Sequence, residues 1–195
     1  MNDKELDSMI TKKMEDSANL KLSLDKEQIR IIGKIALRII KAYRDKKKVL
    51  IFGNGGSAAD AQHIAAELVS KFYMERPGLP AIALNTNVSI LTAVGNDYGY
   101  ERVFARQVEA LASEGDVVIG ISTSGNSPNV LAALEAAKGI GAYTVGLAGL
   151  KGSKIGSVAD LTFNVPSKDT PRIQEVHITA GHIICEVVEK EMFSK

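Results

Sequence analysis

From residue 48 onward the chain alternates short apolar runs with longer amphipathic stretches, and this alternation limits its folds more than any other feature. The runs KVLIF (48–52), AIAL (81–84), DVVIGI (116–121), YTVGLA (143–148) and LTFNV (161–165) read as buried strands. Helical stretches fall between them at about 57–72, 88–94, 101–113, 128–139 and 152–158, and a helix from about 171 to 192 closes the chain. Strands alternating with helices imply βαβ units, hence a parallel sheet covered on both faces. The expected fold class is α/β, a single three-layer α/β/α sandwich around a central parallel sheet, with no linker or low-complexity segment in residues 1–195.

N-terminal helices precede this core of residues 48–195. Residues 25–44 place Ile29, Ile32, Ala36, Ile39, Ile40 and Tyr43 at helical spacing behind Asp25, a candidate N-cap. Residues 2–20 read as a shorter, more polar helix. Residues 1–47 are expected to pack on the domain or on a neighbouring subunit, and DKKK (45–48) reads as a solvated turn.

Two segments repeat one plan. VLIFGNGGSAAD and VVIGISTSGNSPN each run from a strand through a Gly/Ser/Asn loop into a helix start. Loops at the carboxyl ends of parallel strands line the ligand crevice, so two of them can converge on one ligand. The second supplies hydroxyls at Ser122, Thr123, Ser124 and Ser127, with Gly125 for a tight turn and Pro128 as the first helical residue after Ser127. Unpaired N–H groups and the helix dipole favour an anion there. Hydroxyls without a lysine or arginine suit a monoester phosphate; turn and cap duty alone is the competing explanation. A dinucleotide fits less well, because AIALNTN offers no acidic residue for a ribose, and no G-x-x-x-x-G-K-[ST] is present.

The helix after the first loop carries His63 and Glu67 at i, i+4, neighbours on one face. They form either a surface pair or a set of metal ligands and base. The last helix adds Gln174, Glu175, His177 and His182 to an apolar segment, with Gln174, Ile178 and His182 sharing a face. His177 reads as a packed or surface histidine, and Cys185 as core. Three histidines and one cysteine exclude a zinc-finger cluster, so any metal site must combine histidine with oxygen ligands. A net charge of +1 points neither to nucleic acid nor to an anionic membrane. The charged N-terminus has no apolar signal core and no run spans a bilayer, so a cytoplasmic protein is expected.

Taken in order, GNGGSAADAQHIAAELVSKF, RPGLPAIAL, VGNDYGYERVFARQV, GDVVIGISTSGNSPNV and RIQEVHITAGHII resemble the phosphoheptose isomerases of the sugar-isomerase (SIS) domain superfamily, from about residue 48 to the C-terminus. The resemblance implies a flavodoxin-like SIS domain that converts D-sedoheptulose 7-phosphate to D-glycero-D-manno-heptose 7-phosphate. It implies phosphate binding by Ser57, Ser122, Thr123, Ser124 and Ser127, and sugar binding by Asn54, Gly55, Gly56, Asn96, Asp97 and Gln174. Glu67 matches the general base and His182 its acid/base partner, while His63, Glu67, Gln174 and His182 match the ligands of zinc, one ion per site. Family members form homotetramers with active sites at subunit interfaces. Gln174 and His182 are eight residues apart, a rise of about 12 Å, which points independently to a site built from two subunits.

A second reading is a non-catalytic relative that binds the replication initiator DnaA. Its positions matching Glu67 and His182 carry neither glutamate nor histidine, and both are present here. A sugar-phosphate-sensing regulator is a third, for which the chain shows no helix-turn-helix extension. Thr170-Pro171 stands where some members have an acidic residue before RIQE, which bears on sugar contacts at that edge.

Overall fold

The computed structural model describes residues 1–194. Two helices, α1 (Asp3–Leu22) and α2 (Lys26–Arg44), lead into β1 (Val49–Gly53) and α3 (Gly56–Val69). Then come β2 (Ala81–Ala83), α4 (Val88–Tyr98), a 3-10 turn (Tyr100–Arg102) and α5 (Ala105–Leu111). The chain continues through β3 (Val117–Ser122), α6 (Pro128–Ile140), β4 (Tyr143–Ala148), α7 (Ile155–Val158), β5 (Leu161–Asn164) and α8 (Thr170–Phe193).

The strands form one sheet in the order β2-β1-β3-β4-β5, and every pairing is parallel. Val49 lies opposite both Ala81 and Val117, Val117 opposite Tyr143, and Val145 opposite Leu161. Successive strand side chains point to opposite faces, and two apolar layers result. Val49, Ile51, Ile119 and Phe163 pack under α2, α3 and α8, through residues such as Ile35, Ile39, Leu68, Val176 and Ile184. Leu50, Phe52 and Val118 pack under α4 to α7, through Val94, Val108, Leu134 and Ile155. This is the expected α/β/α sandwich.

Local signals hold at the helix starts. Asp25 accepts the Gln28 N–H at 2.8 Å and Gln28 Oε1 accepts the Asp25 N–H at 2.8 Å, a capping box. The Gln28 amide also donates to the carbonyl of Asn164 at 2.7 Å, tying α2 to the end of β5. By contrast α1 buries none of its side chains. It is fastened to α8 by Arg172, which donates to the Lys13 carbonyl at 2.7 Å.

Two expected helices are shorter than their spacing suggested. Residues 101–113 divide into the 3-10 turn and α5, and 152–158 shrinks to the single turn of α7. Gly152, at φ +91°, holds the chain in a region where a helix cannot continue, and Gly99, at φ +88°, ends α4 before the 3-10 turn.

Candidate active site

In the sheet order, β1 and β3 are neighbours whose connections leave in opposite directions, and the loops at their carboxyl ends face one crevice. After β1, Gly55 adopts φ +57° and turns the chain into α3, whose first turn buries Ser57. The Asn54 and Asn129 amides donate to each other's oxygens at 2.9 Å, and the Tyr100 hydroxyl donates to Asn54 Oδ1 at 3.3 Å. The glycine loop is thereby fastened to the start of α6. Asn129 and Tyr100 fall within the motifs VVIGISTSGNSPN and VGNDYGYERVFARQV, but neither is among the expected site residues.

The second loop gathers its hydroxyls. Ser122 Oγ lies 2.9 Å from Ser127 Oγ and 3.4 Å from Ser124 Oγ, around a turn closed by Gly125 at φ +65°. Ser127 occupies the N-cap position as expected, but its hydroxyl makes no capping bond; it turns to Ser122 instead. The start of α6 therefore keeps its dipole end without a side-chain cap. Thr123 and Ser124 open onto a cavity of about 370 Å³ that Lys151, Ser167, Lys168 and Thr170 also line. Of the two lysines, Lys151 is paired with Glu27 at 3.2 Å, so the positive charge that the loop sequence lacks falls to Lys168. Both come from the loops after β4 and β5, so spacing within STSGNS could not reveal them.

The helices then add a titratable group. His63 Nε2 lies 3.0 Å from Glu67 Oε1, and His182 Nε2 lies 3.2 Å from His63 Nε2 across 119 residues. The two imidazoles meet edge to face at 4.9 Å, and Phe72 flanks His182 at 5.9 Å. One turn before His63, half-buried Asp60 has its pKa pushed to about 6 by burial, against the pull of His63. Gly181 permits this meeting of helices, since a Cβ there would stand 2.7 Å from Ile64 Cδ1 of α3.

His63, Glu67 and His182 offer ligand atoms all within 4.8 Å of one another. Two ligands on a tetrahedral zinc at bond lengths near 2.05 Å stand about 3.3 Å apart, so the nitrogen spacing suits that ion. Three protein ligands and an open fourth position are the usual set for catalytic zinc.

Gln174 does not join this group. Its amide covers Gly56, where a Cβ would come within 2.8 Å of all three terminal atoms. Gly56 and His63 lie about 10 Å apart along α3, and Gln174 and His182 are similarly separated on α8. The expected ligand set is thus divided within one chain: three members converge and the fourth sits at the glycine loop, against Gly56. Asn96 and Asp97 bond to each other at 2.8 Å, and no hydrogen bond among the described residues joins them to either loop. His177 is packed, donating from Nε2 to the Ala148 carbonyl at 3.1 Å, and burial lowers its pKa to about 4. Cys185 is core, its thiol pushed to about 12 by burial.

Comparison with known proteins agrees with the fold. The SIS domain family matches residues 14–149. A phosphoheptose isomerase of Trichlorobacter lovleyi is 54% identical over 188 residues, 96% of each chain. The phosphoheptose isomerase structure from Neisseria gonorrhoeae superposes with a TM-score of 0.89 at 40% identity, covering 95% of this chain and 99% of that one. The one from Francisella tularensis gives 0.91 at 36% identity, over 97% and 100%. Sequence likeness across nearly the full length and the shared fold lead to one assignment: the chain belongs to the SIS-domain family, among the phosphoheptose isomerases.

Proposed function

We propose that this chain is an aldose–ketose isomerase converting D-sedoheptulose 7-phosphate to D-glycero-D-manno-heptose 7-phosphate, the entry step to bacterial heptose synthesis. The observation that carries the reading is the meeting of Glu67 and His182 around His63, from two helices far apart in sequence, in a fold that also gathers serine hydroxyls at the carboxyl end of β3. The phosphate is held by Ser57, Ser122, Thr123, Ser124 and Ser127 at the carboxyl ends of β1 and β3. Asn54, Gly55, Gly56, Asn96, Asp97 and Gln174 contact the sugar.

Isomerisation moves a proton between adjacent carbons through an enediol. The Glu67 carboxylate takes the carbon-bound proton and returns it to the neighbouring carbon, so the base is regenerated. The His182 imidazole donates a proton to the carbonyl oxygen and accepts one from the adjacent hydroxyl. Zinc, when held by His63, Glu67 and His182, supplies Lewis-acid stabilisation of developing negative charge on oxygen. The remote phosphate contacts fix the sugar chain so that its reactive end stays within reach of both groups.

The finer parts of the proposal are one zinc per site and a cytoplasmic homotetramer with active sites at subunit interfaces. Gln174 of the partner subunit would complete the zinc ligands. Exposed apolar residues support an interface, notably Ile183, the sequence neighbour of His182, with Ile29 and Leu37 on α2. The DnaA-binding reading loses ground, since both reacting groups are present and meet.

The test is an isomerase assay of wild type, Glu67→Gln and His182→Gln, with metal analysis. Each substitution is expected to lower kcat by roughly 10²–10⁴-fold. An inactive zinc-loaded wild type, or an active Glu67→Gln, would sink the reading.

A further inference from the structure

One buried ion pair is bonded to both helices that carry the reacting groups. The Arg76 and Glu189 side chains are 1% and 3% exposed, and no other ion pair among the described residues buries both partners so deeply. Glu189 accepts the N–H groups of Phe72, Tyr73 and Met74 at 2.9, 2.7 and 3.0 Å, and Arg76 Nε at 2.8 Å. Burial alone would raise its pKa, but these donors hold it below the usual carboxylate range. The rest of the guanidinium donates to the carbonyls of Glu67 (2.8 Å), Leu68 (2.9 Å) and Pro77 (3.1 Å).

Each bond has a consequence for the site. The Glu67 and Leu68 carbonyls lie in the last turn of α3, where no helical N–H reaches them. A guanidinium there caps the helix and opposes the negative end of its dipole. Glu189 stands seven residues beyond His182 on α8, about two turns along the same helix. The segment it fixes includes Phe72, whose ring flanks His182. Because a buried ion pair stabilises a fold poorly compared with apolar packing of the same volume, stability alone is a weak reason for this arrangement.

We infer that Arg76 and Glu189 are positioning residues, a clamp that sets Glu67 on α3 and His182 on α8 at their working separation. The inference rests on the roles proposed above for those two groups. Lysine replaces the arginine poorly, since its donors radiate from one nitrogen, whereas Nε, Nη1 and Nη2 reach Glu189, Leu68 and Glu67 from three separate atoms of a planar fork.

The test uses the full chain with Arg76→Lys, measuring kcat and KM on sedoheptulose 7-phosphate, zinc affinity by chelator competition, and affinity for inorganic phosphate. Arg76→Lys is expected to lower kcat and zinc affinity by roughly 10–100-fold, with KM and phosphate affinity within about twofold of wild type. Unchanged kcat and zinc affinity would overturn the clamp. So would a parallel loss of phosphate affinity, which marks general loosening. Should Arg76→Lys fail to fold, Glu189→Gln decides, keeping the side chain's shape and one acceptor oxygen while removing the charge that holds Arg76 and the Phe72–Met74 amides. A lower kcat at constant KM supports the clamp, and an unchanged kcat overturns it. A wild type inert toward the sugar, with zinc still weakened by Arg76→Lys, overturns the isomerase reading and leaves the clamp standing.

Discussion

His177 lies outside the His63, Glu67 and His182 group yet sets a measurable property of the chain. Its ring is buried and bonded by one nitrogen to the Ala148 carbonyl, while Nδ1 has no protein partner. Neutral imidazole is the only form this pocket tolerates, and the pKa falls from 6.5 to about 4. The unfolded chain takes up a proton at about 6.5, so stability from this residue is complete above that pH and is lost as pH falls toward 4. The loss amounts to roughly 3 kcal/mol. Asp60 acts in the opposite sense over the same range, because its folded pKa is raised to about 6: its neutral form is favoured in the fold, and acidification from 6 toward 4 restores stability. The two partly cancel in wild type. The difference between wild type and His177→Gln isolates the histidine. Denaturant titrations from pH 7 to 4.5 should show the variant losing less stability on acidification than wild type. Parallel pH profiles would contradict the assigned protonation.

At the scale of elements, the approach of α8 to α3 is what turns two separate motifs into one site. Gly181 has no side chain to hold the helices apart, and a Cβ there would stand 2.7 Å from Ile64 Cδ1 and 2.8 Å from Cγ1. Gly181→Ala gains about 1 kcal/mol of helix propensity and meets an overpacking cost of about 1–3 kcal/mol. The fold should therefore survive while α8 shifts outward and carries His182 from His63. Zinc affinity and kcat are expected to drop by roughly tenfold or more, with Ile64→Val in the same chain recovering part of the loss. Equal activity in Gly181→Ala would show that the helix spacing is not critical. This contact also marks where the sequence stops being readable. The strands and long helices were legible because their patterns of burial are local, and His63, Glu67 and His182 because their motifs are distinctive. A glycine in an apolar helix reads only as a weak helix former; its use depends on a residue of another helix. Lys151 and Lys168 at the cavity beside Thr123 and Ser124, Asn129 bonded to Asn54, and Arg76 at the end of α3 have roles that depend on distant residues in the same way. The fate of Gln174 was half legible: the eight-residue rise separates it from His182, but only the fold shows it resting on Gly56.

For the molecule as a whole, the unresolved economy lies on the face formed by α1, α2 and α8. The sheet is covered on both sides, yet Ile29 and Leu37 of α2 remain 59% and 62% exposed, and Ile183 of α8 is 44% exposed. A 610 Å³ apolar groove lies among Ile29, Ile32, Ala36, Ala180, Ile183 and Val187. It runs along the same helix that presents His182 to the site. Covering such residues in an assembly removes apolar area from water at about 25 cal/mol per Å², and brings a second chain to the helix that carries His182. Leu37→Asp sits on the surface of the single chain, so its fold should persist, with an unchanged circular dichroism spectrum. In an assembly the same carboxylate would be buried without a partner, which is strongly unfavourable. Sedimentation should therefore show wild type as an oligomer and Leu37→Asp as a smaller species, with kcat lowered by roughly tenfold or more as the interface opens. A variant that dissociates but keeps full activity at every dilution would show that each chain carries a complete site. In that case Gln174 has no role at the zinc and serves only as the cover over Gly56.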